Sequence, residues 1–307
     1  MTTAVEANAA TSDLPLIAGS LAVMAWGFGP LIVRGIGAST ASIVVFRLGS
    51  AVPVMIAVAY LTGGRVTASV VRQALLPGAL FAGSMMASFE SYKATSIAVA
   101  TLIPAMQPVL VLVIAFRLFG ERSSNRQIAC AVAALAGVLG VVLAAGNTSG
   151  TAMRGTLLSV VNLLLWTVYF VQVKRVRSTG VHSWSFVAGV FIVASCIAVP
   201  WGLLVSTDIH AIGGTDWLLL GLLVGGPGLM GHGLMTWAQR HLDLTVASLL
   251  TLASPVISAI GAWLIYQEKL RPMQVLFSMV VLVSLAGIVV DARIGAVVAT
   301  GLSGPAE

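Results

Sequence analysis

The residues of this sequence that could do chemistry are few and lie inside long apolar runs. Between 155 and 169, Gly155, Ser159, Asn162, Trp166 and Tyr169 recur at i, i+4, i+7, i+11 and i+14, which is one face of a helix. Ser84, Ser88, Ser91 and Thr95 trace a second stripe, flanked by Glu90 and Tyr92. Gly228, His232, Met235 or Thr236 and Gln239 make a third, and Thr245, Ser248, Pro255 and Ser258 a fourth. Polar groups at membrane depth must be satisfied without water or face a cavity. The stripes therefore suggest a polar, aromatic-walled cavity for a small solute, lined by Trp26, Ser84, Ser88, Tyr92, Asn162, Trp166, Tyr169, His232, Thr236 and Ser248. Small residues also line helix contacts, where they permit close approach and hydroxyls bond back to carbonyls. Single Ser and Thr residues read that way, whereas the Asn162, Trp166, Tyr169 face reads as cavity.

Each remaining candidate has two readings. Trp26 and Trp166 could stack on an apolar or aromatic solute or hold an ammonium by cation–π contact; the alternative is core packing or an interfacial belt. Trp184, Trp201, Trp217 and Trp263 fall near span ends and read as belt anchors. Glu90, three residues from Lys93, either reaches the interface or, if buried, carries a coupling proton or receives an ammonium group. His232, in GGPGLMGHG at 225–233, titrates in the range of a proton carrier, but its glycines argue for a tightly packed neutral ring. Arg47, within the second apolar run, snorkels or pairs with a carboxylate that the sequence does not identify. Pro104, Pro108 and Pro255 should kink their helices. Pro108 and Pro255 are candidate hinges, a static bend being the alternative. Ala129, Ala133, Ala136 and Gly140 suggest a packing face.

Catalytic constellations are missing. Cys130 and Cys196 are isolated, the four histidines never pair at ligand spacing, and the glycines at 225–233 follow no strand and are joined by no Lys. No enzyme, metal site, cofactor or ATPase is expected.

The elements that must position these residues follow from composition. Only 8% of the 307 residues are charged and 58% are hydrophobic, against about 25% charged in a soluble domain. The surface can face only lipid. The net charge of +6 might suggest nucleic acid, but the basic residues sit between apolar runs, so topology and not a nucleic-acid partner explains them. Spans of about 20 residues are read at 14–33, 41–61, 74–92, 96–119, 127–145, 155–173, 184–205, 217–236, 244–266 and 273–291. Runs such as PVLVLVIAF do not alternate, which excludes a barrel. The N-terminal MTTAVEANAATSD has no basic region and no cleavage site follows, so the first span is read as uncleaved. With the N-terminus inside, Arg65, Arg72, Arg117, Arg122, Arg126, Lys174, Arg175, Arg177, Arg240 and Arg293 are cytoplasmic, while Arg34, Lys93, Arg154, Lys269 and Arg271 lie opposite. Both termini are then expected in the cytoplasm.

The chain repeats itself. A shift of 147 places Val99, Ala100, Leu102, Pro108, Ala115, Glu121, Gln127 and Gly140 over Val246, Ala247, Leu249, Pro255, Ala262, Glu268, Gln274 and Gly287. A shift of 140 places Trp26 over Trp166 and Arg34 over Lys174. The expected fold is an all-α integral membrane protein of ten transmembrane helices. A tail at 1–13, a five-helix repeat at 14–145, a linker at 146–154, a second repeat at 155–291 and a tail at 292–307 make it up. Five is odd, so the repeats are inverted about a central cavity, a transporter design. Glu121 and Glu268 read as local salt bridges at turns.

The duplication, the Trp in the first span of each half, the Pro in the fourth, the Glu just after it (FGER at 119–122, YQEKL at 266–270) and the Gly late in the fifth resemble the EamA-type drug/metabolite transporter superfamily. Within it the chain is similar to the YddG-type amino-acid exporters. The resemblance covers about 14–291. It implies alternating access in a bacterial inner (plasma) membrane and export of amino acids, aromatic and other apolar ones included, with related metabolites. The expected partners are that small-molecule substrate and the lipid bilayer, with no obligatory protein partner. Alternatives are broad drug/metabolite efflux, a nucleotide-type metabolite permease, a channel, or a membrane-embedded enzyme. The last would need clustered His, Asp or Glu at an interface, and the Asp residues here fall in loops.

Overall fold

The computed structural model describes residues 14–107, 109–111, 114, 124–145, 150–242, 247, 250–251, 253–268 and 270–301. Among them there is no strand. The helices are α1 Leu14–Gly35, α2 Thr40–Leu61, α3 Ala68–Ala94, α4 Ile97–Leu102 followed by a 3₁₀ turn at Pro104–Met106, α5 Asn125–Ala145, α6 Gly150–Arg177 and α7 Ser183–Val205. Then come α8 Thr215–Leu223, a π-helix at Val224–Gly231, α9 His232–His241, α10 Ala253–Tyr266 and α11 Pro272–Gly301. Side chains set several starts: Ser39, Thr67, Ser96 and His182 each accept a backbone N–H three residues on, satisfying donors that a helix N-terminus leaves free.

Seven helical stretches are long and apolar enough to cross a membrane, with Thr215–His241 counted as one. Shorter apolar helical stretches lie at Ile97–Leu102, Ala253–Tyr266 and Pro272–Ser284. The expectation of ten full-length spans is thus met at full length by seven among the described residues. The third and sixth helices run beyond the expected 74–92 and 155–173, because their ends carry Arg72 and Gln73, and Lys174, Arg175 and Arg177. Such side chains lower local hydropathy without stopping a helix.

Helix contacts respect an exchange of halves. Helix α3 packs on α6, and the α8–π–α9 stretch packs likewise on α1. Contacts of α3 with α7 are matched by contacts of the π-helix and α8 with α2, and contacts of α1 with α10 by those of α6 with α4. Three pairs map onto themselves: α2 with α7, α4 with α10, and α5 with α11. The largest core lies where α2, α3 and α7 meet, around Ile43, Leu48, Phe81, Phe186 and Phe191.

The α5–α11 pair corrects one expectation. Ala129 and Ala136 are exposed, and the packed face is instead Gln127, Cys130, Ala134, Gly137 and Val141. It meets Gln274, Phe277, Val281 and Ser284, and both rows keep the 3, 4 alternation of a coiled-coil seam. A Cβ on Gly137 would fall 2.8 Å from Val281, and one on Gly140 2.5 Å from the Phe277 ring. The two rows sit 147 residues apart. So do their N-terminal caps: Gln127 Oε1 accepts Ser124 N–H at 3.0 Å, and Gln274 Oε1 accepts Arg271 N–H at 2.9 Å.

Candidate functional site

Helices of both halves line a half-open cavity of about 150 Å³. Helix α1 contributes Trp26, Gly29 and Pro30, and α2 contributes Arg47. From α3 come Phe81, Ser84, Met85, Ser88, Phe89 and Tyr92, from α6 Asn162 and Trp166, and from the π-helix and α9 Pro227 and His232. Thr101, Pro104, Ala105, Gln107, Leu223, Thr251, Ser254 and Pro255 complete the wall.

The polar part of the wall is built across the halves. Ser84 Oγ donates to Asn162 Oδ1 at 2.6 Å, tying α3 to α6 between two buried residues. The helices come that close because α6 carries a glycine at the crossing. A Cβ on Gly155 would lie 2.9 Å from the backbone nitrogen of Thr95. Ser88 and Ser91 hydroxyls bond back to the carbonyls of Met85 and Ser88, and Ser159 to that of Gly155, so these act within their own helices even where, as at Ser88, the residue also borders the cavity.

The aromatic part also joins the halves. Trp26 and Trp166 meet edge to face with centroids 5.4 Å apart, a favourable geometry for aromatic pairs. The Trp26 indole N–H donates to the Pro227 carbonyl at 3.2 Å. Pro227 lies inside the π-helix, where the wider i to i+5 bonding pattern re-aims backbone groups. Gly231 makes room for the ring, since a Cβ there would sit 2.5 Å from Trp26 Nε1. His232, 5% exposed, stands in a cage of rings, 4.7 Å from Phe81, 5.2 Å from Trp26, 5.7 Å from Phe191 and 5.9 Å from Trp166.

Of the residues singled out in the sequence, Trp26, Ser84, Ser88, Tyr92, Asn162, Trp166, His232 and Pro255 border the cavity. Tyr169 lies behind it, buried against Phe81 at 5.4 Å and Trp166 at 5.0 Å. Thr236 is buried away from it, its carbonyl accepting Arg177 Nε at 3.4 Å. Ser248 and Pro108 lie outside the described residues. Glu90 does not border the cavity: its carboxylate, a third exposed, pairs with Arg154 at 3.0 Å. Pro255 occupies the first turn of α10, where a missing N–H costs little. It therefore stands at the start of α10, and a bend ahead of it would fall on the stretch before Ala253, part of which lies outside the described residues.

Two polar residues on the wall carry more than the sequence suggested. Arg47 does not snorkel, and it meets no carboxylate among the described residues. It is 3% exposed, its guanidinium lies 5.2 Å over the Phe89 ring, and Nη1 points at Met85 Sδ. Gln107, held between two prolines in IPAMQP, is buried with its Nε2 lacking a partner. A polar amide in so apolar a run was the available signal.

Away from the cavity, basic side chains tie helix ends together. Arg34 Nε donates to the Tyr92 carbonyl at 2.8 Å, and Nη2 reaches Tyr92 and Thr95 carbonyls at the end of α3. Lys174 does the same for α9, reaching the Gln239 and Leu242 carbonyls at 2.9 and 2.7 Å. These pairs correspond under the shifts of 140 and 147. Arg34 also pairs with Glu268, whose carboxylate accepts the Ile97 N–H at 3.2 Å. Glu268 is therefore a long-range tie and not the local turn bridge expected; Glu121 lies outside the described residues. In the loop after α7, hydrogen bonds from the Ser42, Ser39 and Ser206 hydroxyls and from Ser39 N–H hold the Asp208 carboxyl down at about 2. No group of three or more metal-binding side chains occurs among the described residues.

No curated protein matches the chain. A solved crystal structure of another protein is similar over 92% of this chain and 99% of that one, with a TM-score of 0.66 at 22% identity, which speaks for the fold. The EamA-like transporter family matches twice, at residues 14–143 and 153–290. With most of the chain matched in two successive copies and apolar helices throughout, this multi-pass membrane protein belongs to the EamA-like transporter family, whose members are transporters and not enzymes.

Proposed function

We propose that the chain is a secondary transporter that exports amino acids, aromatic and other apolar ones included, and related small metabolites across the bacterial inner membrane. Its ten spans form two inverted five-helix repeats, 14–145 and 155–291, with both termini in the cytoplasm, and it works without cofactor or obligatory protein partner. The repeats exchange conformations to open the cavity to one side and then the other. Pro108 and Pro255 are candidate hinges. One observation carries the reading: Trp26 and Trp166, matched positions of the two repeats, meet in the wall of one cavity. A solute there touches both halves and is released when they move apart. Saturable counterflow of labelled phenylalanine in proteoliposomes is the expected result. Ohmic unitary current, or no flux of any amino acid, would refute it. His232 is the candidate for proton coupling that borders the cavity. If flux ignores an imposed pH gradient, transport is facilitated diffusion.

A further inference from the structure

The cavity presents donors and no anion. Arg47 Nε and Gln107 Nε2 are both buried, both without a hydrogen-bond partner, and both belong to residues of the wall. The guanidinium's described contacts are a ring face and a thioether, and sulfur is a weak acceptor. The ion pairs among the described residues are Arg34–Glu268 and Arg154–Glu90, so neither uses Arg47. The wall contains no Asp or Glu. A cation at membrane depth without a counter-ion is costly, and a planar guanidinium matches a carboxylate two bonds at a time. A positive group in the solute finds no carboxylate in this wall, only ring faces and neutral oxygens such as Asn162 Oδ1, which already accepts from Ser84.

We infer that Arg47, assisted by Gln107, is the anchor for a carboxylate, and that the cavity selects small organic carboxylates with an apolar or aromatic body whether or not they carry an amino group. The inference rests on the transport reading and sharpens its substrate class. The body lies against Trp26, Phe81 and Trp166, while the α-ammonium of an amino acid is tolerated and not recognised by charge.

The test uses the purified full chain in detergent with phenylalanine, 3-phenylpropanoate, which lacks the amino group, and 2-phenylethylamine, which lacks the carboxylate. Binding is read as ligand-induced thermal stabilisation and by competition against labelled phenylalanine. 3-Phenylpropanoate is expected to compete within a fewfold of phenylalanine, and 2-phenylethylamine on the order of a hundredfold more weakly, the discrimination set by a buried charge left unpaired. Arg47→Gln should abolish stabilisation by both acids while the unliganded protein melts no lower, because an unpaired buried charge is removed. Arg47→Lys should bind both acids with intermediate strength. Equal competition by the amine, or stabilisation by acids surviving in Arg47→Gln, overturns the anchor while leaving amino-acid transport standing. A lower melting temperature of unliganded Arg47→Gln also overturns it, in favour of a purely structural arginine. Binding of 3-phenylpropanoate but not of phenylalanine supports the anchor and refutes the amino-acid reading. Binding by neither acid, or competition by inorganic phosphate alone, refutes the carboxylate site.

Discussion

Replacing Arg34 by Met should destabilise the protein through the helix ends it ties together. The Arg34 and Glu268 side chains are 21% and 18% exposed. Removing Arg34 leaves the carboxylate with a single backbone N–H, that of Ile97, and frees the Tyr92 and Thr95 carbonyls at the end of α3. Breaking a fully buried pair from one side costs about 3–5 kcal/mol. With a fifth of each group reached by water, about 2–4 kcal/mol is expected. At about 2 °C per kcal/mol for a chain of this size, Arg34→Met should melt about 4–8 °C below the parent. Glu268→Gln keeps an acceptor for Ile97 and leaves Arg34 its carbonyl partners, so it should cost less, about 1–2 kcal/mol. The double variant should lose less than the sum, with a coupling of about 1–3 kcal/mol. Intrinsic tryptophan fluorescence during heating in detergent measures all three, and the differences should shrink only slightly in high salt because the pair is mostly shielded. Additive effects, or an Arg34→Met variant melting within about 1 °C of the parent, would show that the tie contributes nothing.

Trp26→Ala and Trp166→Ala should each insert normally in the membrane and lower transport efficiency about tenfold, the worth of a lost ring contact; unchanged flux kinetics in both would remove the aromatic wall from the mechanism. Gly155→Val should force α3 and α6 apart, cost about 1–3 kcal/mol by overpacking and break the Ser84–Asn162 bond, read as a lower melting temperature that Gly155→Ala shows to a smaller degree. Asp208 is held at about 2 in the folded protein, below the usual carboxyl value of about 4. Its contribution is therefore complete above about pH 4 and lost as pH falls toward 2. The melting-temperature gap between parent and Asp208→Asn should close across that interval, and a constant gap would contradict the assignment.

Much of this architecture could be read from spacing. The offset of 147 that aligns Gln127 with Gln274 also aligns the two caps and the two seams of α5 and α11, because one local solution was used twice. Likewise Arg34 and Lys174, 140 residues apart, hold corresponding carbonyls. Sequence and structure part where packing does not show in residue type. Alanine is apolar and small on either side of a helix, so spacing alone selects Ala129, Ala133, Ala136 and Gly140, of which Gly140 packs on Phe277 while Ala129 and Ala136 are exposed. Glu268 looked local because its true partner is 234 residues away in sequence. For the site, helical spacing found Asn162 and Trp166 but also Tyr169, which lies one layer behind. It does not find that Arg47 Nε lacks a partner among the described residues, since a missing partner leaves no mark in a sequence. Nor could glycines and a proline at 225–231 announce a π-helix, as the same residues equally well end a helix.

That π-helix sets the rotational phase of everything after it. One residue more per turn than the α ladder needs turns the following segment by about 100°, so His232 reaches the ring cage because of the surplus. Deleting a single glycine from 225–226 would let the stretch wind as ordinary α-helix. The charge, size and composition of α9 would be untouched, yet His232 would swing out of the cage and Gln239 away from its place at the end of the helix. The specificity of this wall is thus partly a matter of counting: one residue of slack, placed within the two turns ahead of the histidine, decides which face of α9 the cavity sees.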